Sequence, residues 1–478
     1  MGAEGKQRTR VLILSQDLLG PQMAGPGLRY WELARVLSHS CAVTLAGPLS
    51  GAATHPACAL VPLTLADAQE LTPLLAEADV LVSNGFMLYH YPQLTQLAIP
   101  WVIDAYIPSP TEGLAYYATQ PLDAQEAAQQ ANTAMLNRFF ALGDFFLCAN
   151  ERQRDLYLGV LAAAGRLNPH TYAQDRTLRQ LIDVLPFGLS AEPPHKTSAI
   201  LKGVHPAVPA DGKLLLWGGG IWDWLDPLTL VQALPEVLRT HPNTYLYFPG
   251  PRHPFAERVP DMPMHQRTLA LADRLGLTDR HVFFGTWIPH AERSNYLLEA
   301  DIGVSLHFPG VETRYAFRTR VLDYIWAGLP MVVTEGDSLA ELVRERGLGL
   351  VVPPQDTTRL AGALCELLSE SDARSRRAPA FAATAQELTW ERVAAPLVAF
   401  CREPHLAADW ERRFPNRLPA AEPASSEAGA PELETENQHL RAECAALREQ
   451  VQAYERGRFI RFMAWVKQQR FANRVRRR

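Results

Sequence analysis

Three arginines, Arg314, Arg318 and Arg320, lie within seven residues of one another, at the start of an apolar helical pattern that ends at Gly328. Guanidinium groups beside a helix N-terminus provide positive charge and fork-shaped hydrogen-bond donors. A diphosphate is an anion that such an arrangement suits. Asp323, one to two turns into the helix, would accept hydrogen bonds from ribose hydroxyls. The alternative is a solvated, charged helix face.

Two glycine-rich segments follow predicted strands, where a backbone without side chains can approach a ligand closely. One contains Gly218, Gly219 and Gly220. The other contains Gly25 and Gly27 and opens a helix, whose free N–H groups would face an anion. It lacks the GxGxxG spacing of dinucleotide-binding loops, so a tight turn without a ligand role remains the alternative.

Polar residues of the N-terminal third offer a second group of candidates. Arg29 follows the segment that contains Gly25 and Gly27 and either faces a phosphate or is solvated. Asn84 and Asp104 each end a predicted strand, and we expect Asp104 to steer hydroxyls of a substrate or to cap a turn. Residues 151–155 either hold a substrate or begin a capped helix.

Short apolar runs alternate with longer helical patterns, which predicts parallel sheets covered by helices. Two such series follow each other, so the predicted fold is α/β, with two doubly wound Rossmann-like domains facing across a cleft and a C-terminal α-helical tail. Ligands of such sheets bind beyond the carboxyl ends of the strands. The predicted strands are Val11–Leu14, Ala42–Leu45, Asp79–Ser83, Trp101–Asp104, Phe145–Ala149, Leu214–Trp217, Tyr245–Phe248, Val282–Phe284, Ile302–Leu306, Met331–Thr334 and Leu350–Val352.

Changes in composition divide the chain of 478 residues into five parts. Residues 1–190 and 191–403 form the two domains. Residues 404–431 include a run rich in Pro, Ala, Glu and Ser that reads as a flexible linker. Residues 432–456 are predicted to form a coiled coil and residues 457–478 a basic amphipathic helix.

The predicted coiled coil repeats an apolar or aromatic residue every seven positions, at Leu433, Leu440, Leu447 and Tyr454. With the polar Asn437 on the same seam, a short parallel homodimer through residues 433–454 is favoured. A coiled coil of only about three heptads would be marginally stable by itself.

The basic end of the chain contrasts with the rest. Residues 456–478 carry nine Lys and Arg and no Asp or Glu, and subtracting this +9 from the net charge of −5 leaves −14 for the other residues. A helix with aromatic bulk on one side and cations on the other suits an anionic membrane surface. A solvated coiled-coil extension or a nucleic-acid contact is the alternative, and no specific nucleic-acid partner is predicted.

The six cysteines are scattered and form no CxxC pair, and no apolar window reaches 18 residues. A disulfide framework, a metal site and a membrane span are therefore not expected. We expect a cytoplasmic protein with peripheral membrane contact.

Residues 10–403 resemble family 4 glycosyltransferases with the GT-B fold. The run Asp-Tyr-Ile-Trp-Ala-Gly-Leu-Pro at residues 323–330, followed by a strand and by residues 339–343, is similar to the family's donor-binding half. Gly-Thr-Trp at residues 285–287 is similar to its nucleotide-base segment, and residues 24–29 and 184–188 also fit.

The resemblance implies a transferase that moves a sugar from a nucleotide-diphosphate donor to a glycan or lipid-linked acceptor with retention of anomeric configuration. Cell-envelope polysaccharide or glycolipid synthesis is the usual setting, and no cofactor or metal is expected beyond the donor substrate. The predicted catalytic residues are Asp104, Glu312 and Tyr315. The predicted donor-binding residues are Gly25, Gly27, Gly218, Gly219, Gly220, Trp287, Arg314, Phe317, Arg318, Thr319, Arg320 and Asp323.

Two departures from the family pattern bear on this assignment. The family usually has two glutamates separated by seven residues, and the matching positions hold Tyr315 and Asp323, with Glu312 three residues early. The family's Arg and Lys near the diphosphate correspond to Gly220 and approximately Leu225. We infer that Arg314, Arg318 and Arg320 supply this charge. A catalytically inactive scaffold and a sugar-nucleotide epimerase, which needs a pair of acid/base carboxylates, remain alternatives.

Overall fold

The first domain is built on a seven-stranded parallel sheet in the order β3-β2-β1-β4-β5-β6-β7. The structure, a computed structural model, describes residues 8–250 and 262–415. In chain order the elements are β1 (Arg10–Leu14), α1 (Gly25–Leu37), β2 (Ala42–Gly47), β3 (Ala59–Pro62), α2 (Thr72–Ala76), β4 (Val80–Ser83), β5 (Trp101–Asp104), α3 (Ser109–Tyr116), α4 (Leu122–Leu142), β6 (Phe145–Cys148), α5 (Glu151–Ala163), α6 (Pro169–Gln174) and β7 (Ile182–Val184).

The second domain repeats this plan with a six-stranded parallel sheet in the order β10-β9-β8-β11-β12-β13. Its elements are β8 (Lys213–Trp217), α7 (Pro227–Thr240), β9 (Thr244–Phe248), α8 (Pro263–Arg274), β10 (Val282–Phe284), α9 (Arg293–Glu299), β11 (Ile302–Ser305), α10 (Val311–Tyr315), α11 (Thr319–Trp326), β12 (Met331–Thr334), α12 (Ser338–Arg346), β13 (Gly349–Val352), α13 (Thr357–Ser369) and α14 (Ala373–Glu387).

The predicted α/β fold is confirmed, and each predicted strand coincides with an observed one to within two residues. The central strands are buried on both faces and are therefore continuous apolar runs, which made them recognisable. The sequence analysis missed β3 and β7. Both lie at an edge of the first sheet, where β3 is largely exposed and β7 is only three residues long.

Each sheet changes winding direction between two neighbouring strands. In the first domain β1 pairs with both β2 and β4, and in the second β8 pairs with both β9 and β11. At such switch points the loops at the carboxyl ends of the strands diverge and leave a crevice for a ligand. A binding site in the second domain is therefore expected at the segments that follow β8 and β11.

The chain passes between the domains twice, through two neighbouring segments. The Leu189 N–H donates to the Leu388 carbonyl (2.7 Å), and the Trp390 N–H donates to the Leu189 carbonyl (3.0 Å). The helices that follow, α15 (Trp390–Val393), α16 (Ala395–Arg402) and α17 (Trp410–Arg413), return to the first domain.

Side-chain contacts hold this returning segment against the first domain. Phe400 stacks on Phe145 with ring centres 4.9 Å apart, and Asp409 forms a buried ion pair with Arg166 at 2.8 Å. The sequence-based division counted residues up to 403 with the second domain, whereas residues 390–415 pack on the first.

The predicted linker beyond residue 415, the coiled coil at 432–456 and the basic helix at 457–478 lie outside the described residues. Among the helices of residues 8–250 and 262–415, none has both the length and the apolar character that a membrane span requires.

Candidate active site

The loop after β8 is fixed to the neighbouring strand by one tyrosine. The Gly218 N–H donates to the Tyr324 hydroxyl (2.7 Å), which also lies 3.0 and 2.9 Å from carbonyl oxygens of β8 and β11. Gly219 has a left-handed backbone with φ of +89°, which favours glycine. This loop therefore presents its backbone at the switch point of the second sheet, where the sequence predicted a ligand.

Arg320, near the start of α11, lies beside this glycine loop. One guanidinium nitrogen donates to the Gly220 carbonyl (3.0 Å), and the guanidinium lies 4.8 Å from the centre of the Trp217 ring. Its Nη1 is buried without a hydrogen-bond partner, and no carboxylate in residues 8–250 and 262–415 pairs with it. Burial lowers the pKa of the Arg320 guanidinium to about 10. The site thus contains a partly desolvated cation for which the described residues provide no anion.

Arg318 is placed differently. It donates to both oxygens of Glu312, at 2.8 and 2.6 Å, in a buried pair. Asp337 lies 3.8 Å from the same guanidinium and 3.4 Å from His307. Because this charge is already neutralised, Arg318 and Glu312 form a supporting network and not a free anion site.

Arg314 does not join the other two arginines. Its side chain is exposed on α10, with the guanidinium 6.0 Å from the centre of the Tyr315 ring. Within the described parts of the chain, Arg320 is the one predicted phosphate-binding arginine that contacts the glycine loop and has no carboxylate partner.

Asp323 lies on a partly exposed side of α11. It accepts from Arg293 (3.1 Å), and the Arg293 guanidinium in turn covers the Trp326 ring at 4.5 Å. The Asp323 side chain keeps 38% of its surface exposed, so it remains accessible to a hydroxyl-bearing ligand. Thr319, the first residue of α11, is half-buried.

The first turn of α5 in the first domain contacts the second domain. Asn150 caps this helix by accepting from the Gln153 N–H (2.9 Å), which confirms the predicted helix start. Gln153 donates to the Tyr315 carbonyl (2.8 Å), and Arg152 forms an ion pair with Glu341. These residues therefore hold the two domains together, and their side chains are not available to hold a substrate.

A second contact across the cleft is aromatic. The Tyr106 hydroxyl donates to the Phe317 carbonyl (3.4 Å), and the two rings meet edge to face at 6.3 Å. Phe317 is thus a domain contact. Trp287, half-buried in the loop after β10, lies against Gly250, where an added Cβ would be 3.0 Å from the Trp287 Cα.

In the first domain, Arg29 and Asp104 form a buried ion pair. The guanidinium donates to both Asp104 oxygens (2.7 and 2.9 Å) and to the carbonyls of Leu185 and Pro186 (both 3.0 Å). Arg29 therefore is neither solvated nor a phosphate ligand. Because Arg29 occupies both carboxylate oxygens of Asp104, the predicted role of Asp104 in steering a substrate hydroxyl does not fit this geometry.

The glycines at the start of α1 differ from each other. A Cβ on Gly27 would collide with the Leu18 carbonyl, so this glycine allows close packing of the helix on the loop before it. Around Gly25 no atom lies within 4 Å of such a Cβ, so the surrounding space is open.

Sequence reasoning missed Glu112 on α3. Its side chain is half-buried where α3 packs against α10 across the domain interface, within electrostatic reach of Glu312 and Arg318. Burial, and next the charge of Glu312, raise the pKa of Glu112 to about 7. Nothing in the local sequence marks it, because its surroundings come from a segment two hundred residues away.

No cluster of three potential metal-ligating side chains occurs in the described parts of the chain.

Two Rossmann-like domains that face each other across a cleft define the GT-B fold, and this chain has that arrangement. Residues 212–370, about a third of the chain, match the family model described as "Glycosyl transferases group 1". A curated relative, D-inositol 3-phosphate glycosyltransferase from Acidothermus cellulolyticus, is 28% identical over 222 residues. That match covers 44% of this chain and 47% of the relative, about half of its length.

Solved structures share the fold over most of the chain. Sucrose-phosphate synthase from Thermosynechococcus elongatus superposes with a TM-score of 0.62 at 16% identity, covering 83% of this chain and 99% of that one. HepE from Anabaena, solved in complex with UDP-glucose, has a TM-score of 0.57 at 14% identity, with 82% and 98% covered. Trehalose-6-phosphate synthase from E. coli, bound to UDP-2-fluoro glucose, has a TM-score of 0.59 at 12% identity, with 83% and 100% covered.

Proposed function

We propose that this protein is a glycosyltransferase that takes a sugar from a nucleoside-diphosphate donor and transfers it to a glycan or lipid-linked acceptor. The observation that carries the proposal is Arg320, which lies beside a glycine loop at the switch point of the second sheet and has no carboxylate partner among residues 8–250 and 262–415. A diphosphate would supply the missing negative charge and accept from the free guanidinium nitrogen.

The chemistry of transfer fits this arrangement. As the bond between the anomeric carbon and the diphosphate breaks, negative charge grows on the leaving oxygen, and a preorganised cation there stabilises the transition state. Arg320 is held in place by Trp217 and the Gly220 carbonyl, so little reorganisation is needed. The accessible carboxylate of Asp323 suits ribose hydroxyls, and Trp287 offers a ring for the nucleobase.

Relatives agree with this choice of donor. The curated relative is named as a glycosyltransferase, and two structural neighbours were solved with a UDP sugar. Retention of anomeric configuration and a role in envelope polysaccharide or glycolipid synthesis belong to the same proposal, and both rest on the sequence resemblance.

The test is donor binding by calorimetry with UDP, GDP, ADP and dTDP and their sugars. Arg320→Gln should weaken the affinity for the preferred nucleoside diphosphate about 30-fold, because it removes a charge-assisted hydrogen bond worth about 2 kcal/mol. Arg314→Gln is the matched control, since the Arg314 side chain is exposed and lies over the Tyr315 ring, and the affinity of this variant should equal that of the wild type. Equal affinities for all three proteins would contradict the proposal.

The alternatives make different predictions for the bound donor. A scaffold binds it without releasing nucleoside diphosphate, and an epimerase returns a donor whose sugar has changed configuration. An epimerase needs two free carboxylates. Of Glu112 and Glu312, the second already accepts hydrogen bonds from Arg318 on both of its oxygens. We therefore favour transfer.

We further propose that residues 433–454 mediate a homodimer and that residues 457–478 bind anionic membranes peripherally. This part of the proposal rests on the heptad pattern and on the nine cations of the basic end. A protein truncated after residue 431 should keep donor binding and lose sedimentation with anionic liposomes. Equal sedimentation of full-length and truncated protein at low salt would exclude the membrane role.

A further inference from the structure

The backbone that leads into α11 is held by side chains of the first domain. Within four residues of the second domain, three carbonyl groups accept hydrogen bonds from the first domain. The bonds run from Gln153 to the Tyr315 carbonyl (2.8 Å), from Tyr106 to the Phe317 carbonyl (3.4 Å) and from Arg152 to the Arg314 carbonyl (3.4 Å). The first domain thus contacts the main chain directly before the helix that carries Arg320.

This segment relies on outside contacts because neither neighbouring helix includes it. Helix α10 ends at Tyr315 and α11 begins at Thr319, so residues 316–318 belong to neither helix. The last carbonyl groups of a helix have no partner within that helix and must be satisfied from elsewhere. For the Tyr315 carbonyl the partner is Gln153. The position at which α11 starts therefore depends in part on the first domain.

Gln153 can fix a neighbouring segment because it is fixed itself. The residue is completely buried, and its amide oxygen accepts from the Ala149 N–H (2.8 Å). Its backbone N–H donates to the Asn150 side chain, which caps the start of α5 (2.9 Å). The amide nitrogen donates across the interface to the Tyr315 carbonyl. A buried amide that is bonded at both ends has little freedom to move.

Tyr106 is supported in a similar way. The Arg29 guanidinium lies 4.5 Å from the centre of the Tyr106 ring, and Arg29 is itself fixed by its buried ion pair with Asp104. On the other side, the Tyr106 ring meets the Phe317 ring edge to face at 6.3 Å. The ion pair at the switch point of the first sheet thus supports a residue that contacts the second domain.

Arg320 lies between the two ends at which α11 is held. At the far end, the Tyr324 hydroxyl accepts from the glycine loop and fixes the helix to the second sheet. At the near end, the ion pair of Arg318 with Glu312 joins the start of α11 to α10, so these parts move together. The first domain holds this unit at the Tyr315 carbonyl. A shift of the near end would therefore move the Arg320 backbone relative to the glycine loop.

We propose that Gln153 is a positioning residue for donor binding: by holding the Tyr315 carbonyl, it places the start of α11 so that Arg320 reaches the diphosphate. Tyr106 contributes in the same way through the Phe317 carbonyl. This inference rests on the proposed glycosyltransferase function. It assigns to the first domain a part in binding the nucleoside diphosphate, through the backbone of the second domain and without direct contact to the ligand.

The experiment measures the affinity of the full-length protein for whichever of UDP, GDP, ADP and dTDP the wild type binds most tightly. Gln153→Glu keeps the oxygen that accepts from Ala149 and replaces the donating NH2 group by an oxygen that repels the Tyr315 carbonyl. We expect the dissociation constant to rise about 10-fold, as the loss of a buried hydrogen bond would cause. Asp155→Asn, an exposed position of the same helix, is the control that should leave the constant unchanged.

Tyr106→Phe is the second variant. It removes one hydroxyl group and keeps the ring that Arg29 covers, so it adds no charge to the interface. The dissociation constant should rise about 3-fold, less than for Gln153→Glu because the lost hydrogen bond is longer. If Gln153→Glu does not fold with its buried carboxylate, Tyr106→Phe decides the question by itself.

A double-mutant cycle separates positioning of Arg320 from a general effect on the structure. Arg320→Gln alone should raise the dissociation constant about 30-fold. If Gln153 and Tyr106 act through Arg320, adding Gln153→Glu or Tyr106→Phe to Arg320→Gln should raise the constant by less than about 2-fold more. Independent effects would multiply.

The outcomes distinguish this inference from the proposed function. If the wild type binds none of the four nucleoside diphosphates, or Arg320→Gln binds as tightly as the wild type, the proposed function fails and this inference fails with it. If binding depends on Arg320 but neither Gln153→Glu nor Tyr106→Phe weakens it, the positioning role is wrong and the proposed function stands. The same holds if their effects multiply with that of Arg320→Gln.

Discussion

The two domains each place an arginine near the start of a helix beside the switch point of the sheet, and they satisfy it in opposite ways. Arg29 in the first domain donates to both Asp104 oxygens and two backbone carbonyls and is 1% exposed. Arg320 in the second domain has one carbonyl, an aromatic ring and a free nitrogen. The first arginine is neutralised within the fold, whereas the proposed function has the second neutralised by the diphosphate of a donor.

The largest expected difference between Arg29 and Arg320 is in their contribution to the free energy of unfolding. Arg29→Leu should lower the free energy of unfolding by about 3–5 kcal/mol, because it leaves the Asp104 carboxylate buried and uncompensated. Arg320→Leu should change it by no more than about 1 kcal/mol, because no buried carboxylate of the described residues pairs with it. Urea denaturation of both variants measures the difference. Equal losses would mean that both arginines are structural.

Glu312→Gln tests whether the buried ion pair of the second domain also contributes to stability. We expect a loss of about 3 kcal/mol in unfolding free energy, because Arg318 would lose its bidentate partner in a buried site. Loss of turnover in this variant therefore has to be interpreted with its stability. The control is Glu341→Gln, which removes the exposed partner of Arg152 and should cost far less. Equal costs would show that the Glu312 pair is solvated.

The pH dependence of stability probes Glu112. Because the folded-state pKa is raised to about 7, protonation favours the folded protein, and this stabilisation is fully present below the unfolded pKa of about 4.3 and lost as the pH rises through 7. The stability of the wild type relative to Glu112→Gln should therefore fall by about 3 kcal/mol between pH 4.5 and 8. Thermal unfolding of both proteins across this range checks it. A constant difference would mean that Glu112 titrates normally.

The smallest effect concerns the contact between the domains. Arg152→Ala removes an ion pair with a half-exposed partner and should cost under about 1 kcal/mol of stability. It should nevertheless shift the domains towards a more open arrangement, which small-angle scattering detects as a larger radius of gyration. Arg179→Ala, which removes ion pairs confined to the first domain, is the control. An unchanged radius of gyration in both variants would show that other contacts are sufficient to hold the two domains together.

Much of the fold could be predicted from the sequence because central parallel strands, buried on both faces, are continuous apolar runs. The order of motifs in residues 302–330 also predicted a ligand-binding crevice in the second domain, which stays a prediction. β3 was missed because an exposed edge strand lacks that signal.

The partners of the charged residues could not be predicted in the same way. Arg29 and Asp104 are 75 residues apart in the chain, and each was considered separately. Arg318 and Arg320 look equivalent in sequence, yet only the first reaches Glu312. Glu112 acquires its surroundings from a different domain. In each case the fold, and not local spacing, decides which charge is neutralised.

The two neighbouring crossings at Leu189 and Thr389 have a mechanical consequence. A single covalent link would let one domain swivel freely about the chain, whereas a two-stranded ribbon bends easily in one direction and resists torsion. Two hydrogen-bonded crossings would therefore restrain twisting of one domain against the other more than a single crossing would. After any opening of the cleft, Arg320 on the second domain would then return to a similar position facing the first domain.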